Sequence, residues 1–168
     1  MDRLWAPWRV KYVTKIVKKK EPSVFLRLLR EKQDRKNYIF IRTKYSFAIL
    51  NIYPYNNGHT LVLPKRRVDD LCKLRREERE DLIDLVETVK SLLGEVMKPQ
   101  GFNIGLNLGR AAGAGFPDHL HFHIVPRWKG DSNFMPVIGE TKVISQSLDA
   151  VYELLSNAYK RRIRKNRK

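Results

Sequence analysis

The segment from Arg76 to Met97 constrains this chain more than any other, because it carries Leu82, Ile83, Leu85, Val86, Val89, Leu92, Leu93 and Val96 at helical spacing. It begins acidic and stops before Pro99, as a helix with a complementary dipole does. A helix of this length with one apolar stripe needs a broad apolar surface to cover it, and a sheet is the natural partner. Strand-like runs lie on both sides of it in sequence. Tyr38 to Thr43, Phe47 to Asn51 and Thr60 to Pro64 precede the helix, while Asn103 to Leu108 and His119 to Pro126 follow it. The close spacing of the first three favours antiparallel hairpins, so the expected fold class is α+β, with one mostly antiparallel five-stranded sheet under the long helix.

Two more helices are predicted. Ser147 to about Arg162 places Leu148, Val151, Tyr152 and Leu155 on one face and ends basic; Ser23 to Lys32, with Val24, Phe25, Leu28 and Leu29, makes a shorter one. Gly58, Gly101 and the run from Gly109 to Gly115 mark sharp turns. No internal repeat or low-complexity linker divides the 168 residues, which is the size of one domain.

Composition bounds the function. The single cysteine, Cys72, leaves no internal disulfide and no Cys-x-x-Cys zinc site. No apolar stretch approaches the roughly 20 residues of a membrane span, and Met1-Asp2-Arg3-Leu4-Trp5 lacks the core of a signal peptide, so no membrane partner and a cytoplasmic location are expected. The net charge of +16 attracts polyanions, with clusters at Lys15 to Lys20 and Lys160 to Lys168. Those clusters read either as solvated basic ends or as a nucleic-acid contact through the tail.

Chemistry concentrates in Asp118-His119-Leu120-His121-Phe122-His123-Ile124-Val125-Pro126-Arg127-Trp128, which holds three of the four histidines. Strand side chains alternate between faces, so the imidazoles are predicted to share one face and the apolar residues the other. Imidazole titrates near neutrality and serves as nucleophile, proton donor or orienting group. Gly113 and Gly115, just upstream, bring backbone N–H groups within reach of an anion, so a phosphate beside the histidines is a coherent site. The same residues also admit a zinc site of the His-x-His kind, and a third reading buries them as ordinary core histidines, which demands several polar partners.

His119 to Val125 matches the pattern His-φ-His-φ-His-φ-φ, with φ apolar, and thereby resembles the histidine-triad (HIT) family. The stretch from Ala48 through Asn51-Ile52-Tyr53-Pro54-Tyr55-Asn56-Asn57-Gly58-His59 to Lys65 is similar to the family's ribose-binding and Gly-His segment. The flanks Leu4 to Arg9, Gly105 to Arg110 and Pro126 to Val137 resemble the branch with diadenosine tetraphosphate phosphorylases and hydrolases. The resemblance implies one HIT domain over 1–168, with an N-terminal extension (1–36) and a basic C-terminal helix and tail (147–168). It also implies a homodimer whose two sheets join.

Carried over by position, His121 attacks an α-phosphorus to form a nucleotidyl-histidine, His119 and His123 orient it and move protons, and His59 supports them. Asn51 falls where the family binds ribose, and Asn107 where it contacts phosphate. The implied substrate is a dinucleoside polyphosphate. No metal is needed for the covalent step, although magnesium can accompany the polyphosphate. The alternative is a nucleotide- or RNA-binding protein with weak or no catalysis.

The chain also departs from the pattern. Gly115 and Phe116 stand where the family often has Gln-Ser or Gln-Thr, and Arg67 stands where histidine is frequent. Arg67 reads either as a contact to a distal phosphate or as a solvent-facing side chain. Trp5, Trp8 and Trp128 are candidates for stacking on a base, against packing in the core or a dimer interface for the first two.

Overall fold

The computed structural model describes residues 23–131, 138 and 143–166. The expectations for Trp5, Trp8, the Lys15 to Lys20 cluster and the flanking matches at Leu4 to Arg9 and Ser132 to Val137 lie outside the described residues, as do the last two residues of the basic tail.

Helix α1 (Val24–Glu31) comes first and places Phe25, Leu28 and Leu29 together through their helical spacing. It ends at Lys32, which takes a left-handed conformation (φ 52°). Strands β1 (Ile39–Arg42), β2 (Ser46–Leu50) and β3 (Thr60–Pro64) follow as antiparallel hairpins. Helix α2 (Arg76–Met97) starts where the Glu78 carboxylate accepts the Arg75 N–H at 2.8 Å, and it stops at Lys98, before Pro99. Strands β4 (Gly101–Leu106) and β5 (Phe122–Arg127) and helix α3 (Leu148–Asn166) complete the chain.

The sheet order is β1-β2-β3-β5-β4, and every pairing is antiparallel. The expected α+β architecture is therefore observed. Both faces are covered, which explains why every residue of β2 and β3 is buried. Ala48, Leu50, Val62 and Ile124 pack on one side with Leu82, Leu85, Val89 and Leu92 of α2 and Val151 and Leu155 of α3. Phe47, Ile49, Leu61 and Leu63 pack on the other with Phe25, Leu28 and Leu29 of α1.

Strand β5 begins at Phe122, not at His119 as the alternation predicts. Ahead of Phe122 the chain bonds outside the ladder: the Leu120 N–H donates to the Val68 carbonyl at 2.6 Å, and the His119 ring is held by the Pro64 carbonyl. The division of faces survives this departure, since Leu120 and Ile124 still join the α2 side.

Gly58 is required where it stands. Its φ is +74°, and a Cβ there would lie 2.6 Å from the Met97 sulfur at the end of α2. Arg66, just past β3, grips the buried Glu78 of α2 at 2.6 and 2.9 Å and holds that carboxyl down to about 2 from an ordinary 4.5. A carboxylate whose pKa is lowered by folding contributes stability that is full above pH 4.5 and fades as pH falls toward 2. Urea midpoints of the native protein and of Glu78→Gln, measured from pH 6 to pH 3, should therefore converge as the pH drops; a constant gap would refute this role.

Candidate active site

The sheet face that carries α1 also carries the histidines. His59 immediately precedes β3, His123 lies on β5 paired with Leu61, and His119 and His121 occupy the approach to β5. A cavity of about 760 Å³ opens beside them, lined by His121 and His123 together with Phe25, Asn51, Tyr55 and Phe116 among others.

The hydrogen bonds settle the tautomers. His121 Nδ1 lies 2.8 Å from the His119 carbonyl, which only accepts, so Nδ1 carries the proton and Nε2 the lone pair. The Tyr55 backbone N–H donates to His59 Nδ1 at 2.9 Å. His59 Nε2 therefore holds the proton and donates it to His123 Nδ1, also at 2.9 Å. That leaves the His123 proton on Nε2, with the His121 and His123 ring centres 4.9 Å apart. A lone pair on one imidazole stands beside an N–H on its neighbour, an arrangement that can supply a nucleophile and a hydrogen-bond donor.

His119 and His121 are both buried. Loss of water pushes both below the usual 6.5, against a smaller upward pull from the carbonyls they bond. Phe25 helps to exclude that water, its ring centre lying 5.5 Å from that of His119 and 5.9 Å from that of His121. Both rings are neutral at pH 7, the state a nitrogen nucleophile requires.

The other expected residues divide. Asn51 and both glycines, Gly113 and Gly115, line the cavity. The Asn51 side chain accepts the Tyr53 N–H at 2.9 Å and approaches His59 Nδ1 at 3.3 Å. Gly113 spends its N–H on the Arg110 carbonyl at 2.9 Å, closing its own turn, so the anion-nest expectation passes to Gly115. Asn107 follows the end of β4, one residue past the Leu106–Phe122 pair, and does not line the cavity. Arg67 pairs with the exposed Asp118 at the surface, in keeping with the solvent-facing reading. Trp128 does not line the cavity either; it is half-buried, and its backbone N–H donates to the Asp131 carboxylate at 3.0 Å.

Aromatic rings that the sequence reading did not select do line the cavity. Tyr55 stacks on His123 at 5.5 Å with 14° between the rings, and Tyr53, Phe25 and Phe116 contribute further faces. The Tyr53-Pro54-Tyr55 run was a signal for this, because two large rings in a turn beside Asn51 and His59 have little core to enter. Among the described residues, no group of three His, Cys, Asp or Glu side chains is placed to hold a metal ion.

The HIT domain family profile matches residues 32–130, more than half of the chain. An AP-4-A phosphorylase of Mycobacterium tuberculosis is 38% identical over 167 residues, covering 96% of this chain and 86% of that protein. This chain belongs to the HIT domain family. The asymmetrical bis(5'-nucleosyl)-tetraphosphatase of Schizosaccharomyces pombe is 41% identical over 93 residues, covering 55% of this chain and 50% of that enzyme. Among solved structures, a histidine triad nucleotide-binding protein of Sulfolobus tokodaii superimposes with a TM-score of 0.67 at 25% identity, over 82% of this chain and 91% of that one.

The two buried imidazoles make a pH prediction. Because folding lowers their pKa values, they leave stability untouched well above pH 6.5 and lower it progressively as the pH falls below that value. In an NMR titration, His119 and His121 should protonate below 6.5, and Phe25→Ala should bring His121 back toward 6.5 by admitting water. A His121 that titrates at 6.5 in the unmodified protein would contradict the account.

Proposed function

We propose that this protein cleaves dinucleoside polyphosphates such as diadenosine tetraphosphate at the α-phosphate, through a nucleotide bound covalently to His121. The observation that carries the reading is the His121 tautomer: Nδ1–H is tied to the His119 carbonyl, which leaves the Nε2 lone pair on a ring that lines the cavity. Family membership and the names of the relatives point to the same substrate class.

In the first half-reaction, His121 Nε2 forms a bond to the α-phosphorus while the bond from that phosphorus to the bridging oxygen breaks. The departing polyphosphate oxygen leaves as its anion and accepts a hydrogen bond from His123 Nε2–H, whose tautomer is set by His59 and, behind it, by the Tyr55 N–H. In the second, water or inorganic phosphate attacks the same phosphorus, the P–N bond breaks and His121 leaves as the neutral ring, with the proton lost by an attacking water passing to solvent. Asn51 meets the ribose hydroxyls, Gly115 lies toward the phosphates, and the rings of Tyr53, Tyr55 and Phe25 offer faces for a base. Magnesium, as a companion of the polyphosphate, would be part of the substrate and is not needed for the covalent step.

The direct test is His121→Ala, expected to lower turnover of diadenosine tetraphosphate by about four orders of magnitude or more, as loss of a covalent nucleophile does, while binding of AMP stays measurable. Brief incubation of the unmodified protein should trap an acid-labile adenylyl group. AMP plus ATP as products indicates hydrolysis, and ADP plus ATP in the presence of phosphate indicates phosphorolysis. Full activity in His121→Ala would end the proposal.

The active unit we propose is a homodimer in the cytoplasm, joined along β4. That strand lies at the sheet edge, and Ile104 on it is 43% exposed. An unpaired edge with exposed apolar side chains invites a second strand. Ile104→Lys is accordingly expected to shift the mass by light scattering from twice 19.8 kDa to 19.8 kDa. An unchanged mass would exclude this interface.

The nucleic-acid reading has in its favour the exposed Lys160, Arg161, Arg164 and Lys165 on α3. Against it, Arg161 and Arg162 engage Glu95 and Ser91 of α2. No helix of the described residues is long and apolar enough to cross a membrane.

A further inference from the structure

Ser23 sits at the N-cap of α1, where a serine ordinarily accepts an N–H from the first turn of its own helix. Here it makes no such side-chain bond. Its Oγ instead lies 2.7 Å from His119 Nδ1, 96 residues away in sequence, and both groups are buried. A serine that forgoes the local bond available to it is held where it is by the distant one.

The polarity of that contact follows from the rest of the site. His119 Nε2 lies 2.8 Å from the Pro64 carbonyl, an acceptor, so Nε2 carries the proton and Nδ1 is a lone pair. The Ser23 hydroxyl is its donor. With one ring nitrogen tied to the last residue of β3 and the other to the N-cap of α1, the His119 ring cannot turn over without leaving two buried groups unpaired. The peptide of the same residue presents the carbonyl that accepts the hydrogen bond from His121 Nδ1–H.

We infer that Ser23 is a positioning residue: its hydroxyl fixes the His119 ring, and through the His119 carbonyl it fixes the tautomer and aim of His121. Helix α1 is thereby part of the catalytic apparatus and not only a cover for the sheet. The same helix brings Phe25 against both rings, so its docking supplies the donor and excludes the water together. The kinetic consequence rests on the function proposed above; the effect on the imidazoles does not.

Glycine caps a helix nearly as well as serine but has no hydroxyl, so Ser23→Gly separates capping from donation. Turnover of diadenosine tetraphosphate by Ser23→Gly should fall about 10- to 100-fold in kcat, on the scale of one buried unpaired group, with KM within about twofold. Ser23→Thr, which keeps the hydroxyl, should recover kcat to within about threefold.

Nitrogen-15 NMR of the imidazoles, without substrate, provides an independent readout. In the unmodified protein, His119 should show a protonated Nε2 and a hydrogen-bonded lone pair at Nδ1. In Ser23→Gly, both the His119 and the His121 signals should change. Unaltered His121 signals in a folded Ser23→Gly, or native kcat in that variant, would overturn the inference. If no dinucleoside polyphosphate is turned over by the unmodified protein, the function proposal fails, and the NMR comparison alone decides the role of Ser23.

Discussion

The bond from His121 Nδ1 to the His119 carbonyl is the constraint around which the rest of the site is arranged. A free imidazole exchanges tautomers and rotates, so at any moment its lone pair faces the reacting atom only part of the time. Tying one nitrogen to a carbonyl of the neighbouring backbone removes both freedoms at once, and the other nitrogen acquires a fixed direction. The bond is useful only if that carbonyl is itself immobile. His119 achieves this with its ring pinned at both nitrogens and its surface wholly enclosed.

Enclosing polar rings is costly unless each finds partners, and the sheet supplies them from several directions. Strands β2 and β3 are buried on both faces, so their backbones are rigid references from which the Pro64 carbonyl and the His59 ring project. The apolar alternates of the triad segment, Leu120 and Ile124, seat it on α2, while His119 and His121 meet Phe25 of α1. The long helix and the short one thus have different tasks. One anchors the segment by apolar burial, and the other controls how much water the imidazoles meet.

Much of this was legible in the residues. The period of the Arg76 to Met97 stripe predicts α2 with its bounds intact, and the short strand-like runs punctuated by Gly, Asn and Pro place all five strands within a few residues. Alternation between His119 and Ile124 assigns the faces correctly, although only its second half is ladder-paired strand. What stayed hidden were partners distant in the chain. Periodicity states which way a side chain points but not what arrives there, so neither the Val68 carbonyl that delays the start of β5 nor the Ser23 hydroxyl was predictable from spacing. Gly113 shows a related limit, because composition marks a flexible backbone without saying whether its N–H is spent inside the turn, as it is here on Arg110.

The arrangement of tautomers carries one further implication for the reaction proposed. The Nδ1 proton of His121 is held throughout by a carbonyl that cannot accept it, so the ring forms and breaks its bond to phosphorus at Nε2 alone and returns to its starting state without proton exchange. The hydrogen bond to the leaving group comes instead from His123, where His59 and the Tyr55 amide orient the donor from behind. In that proposal the nucleophile and the hydrogen-bond donor are separate rings with separate anchors, one fixed from the triad backbone and the other from the turn before β3. The choice between water and phosphate in the second step therefore makes no new demand on either imidazole. It is decided by what the cavity admits once the leaving group has gone, and hence by the loop containing Tyr53 and Tyr55 and by the α1 wall around Phe25.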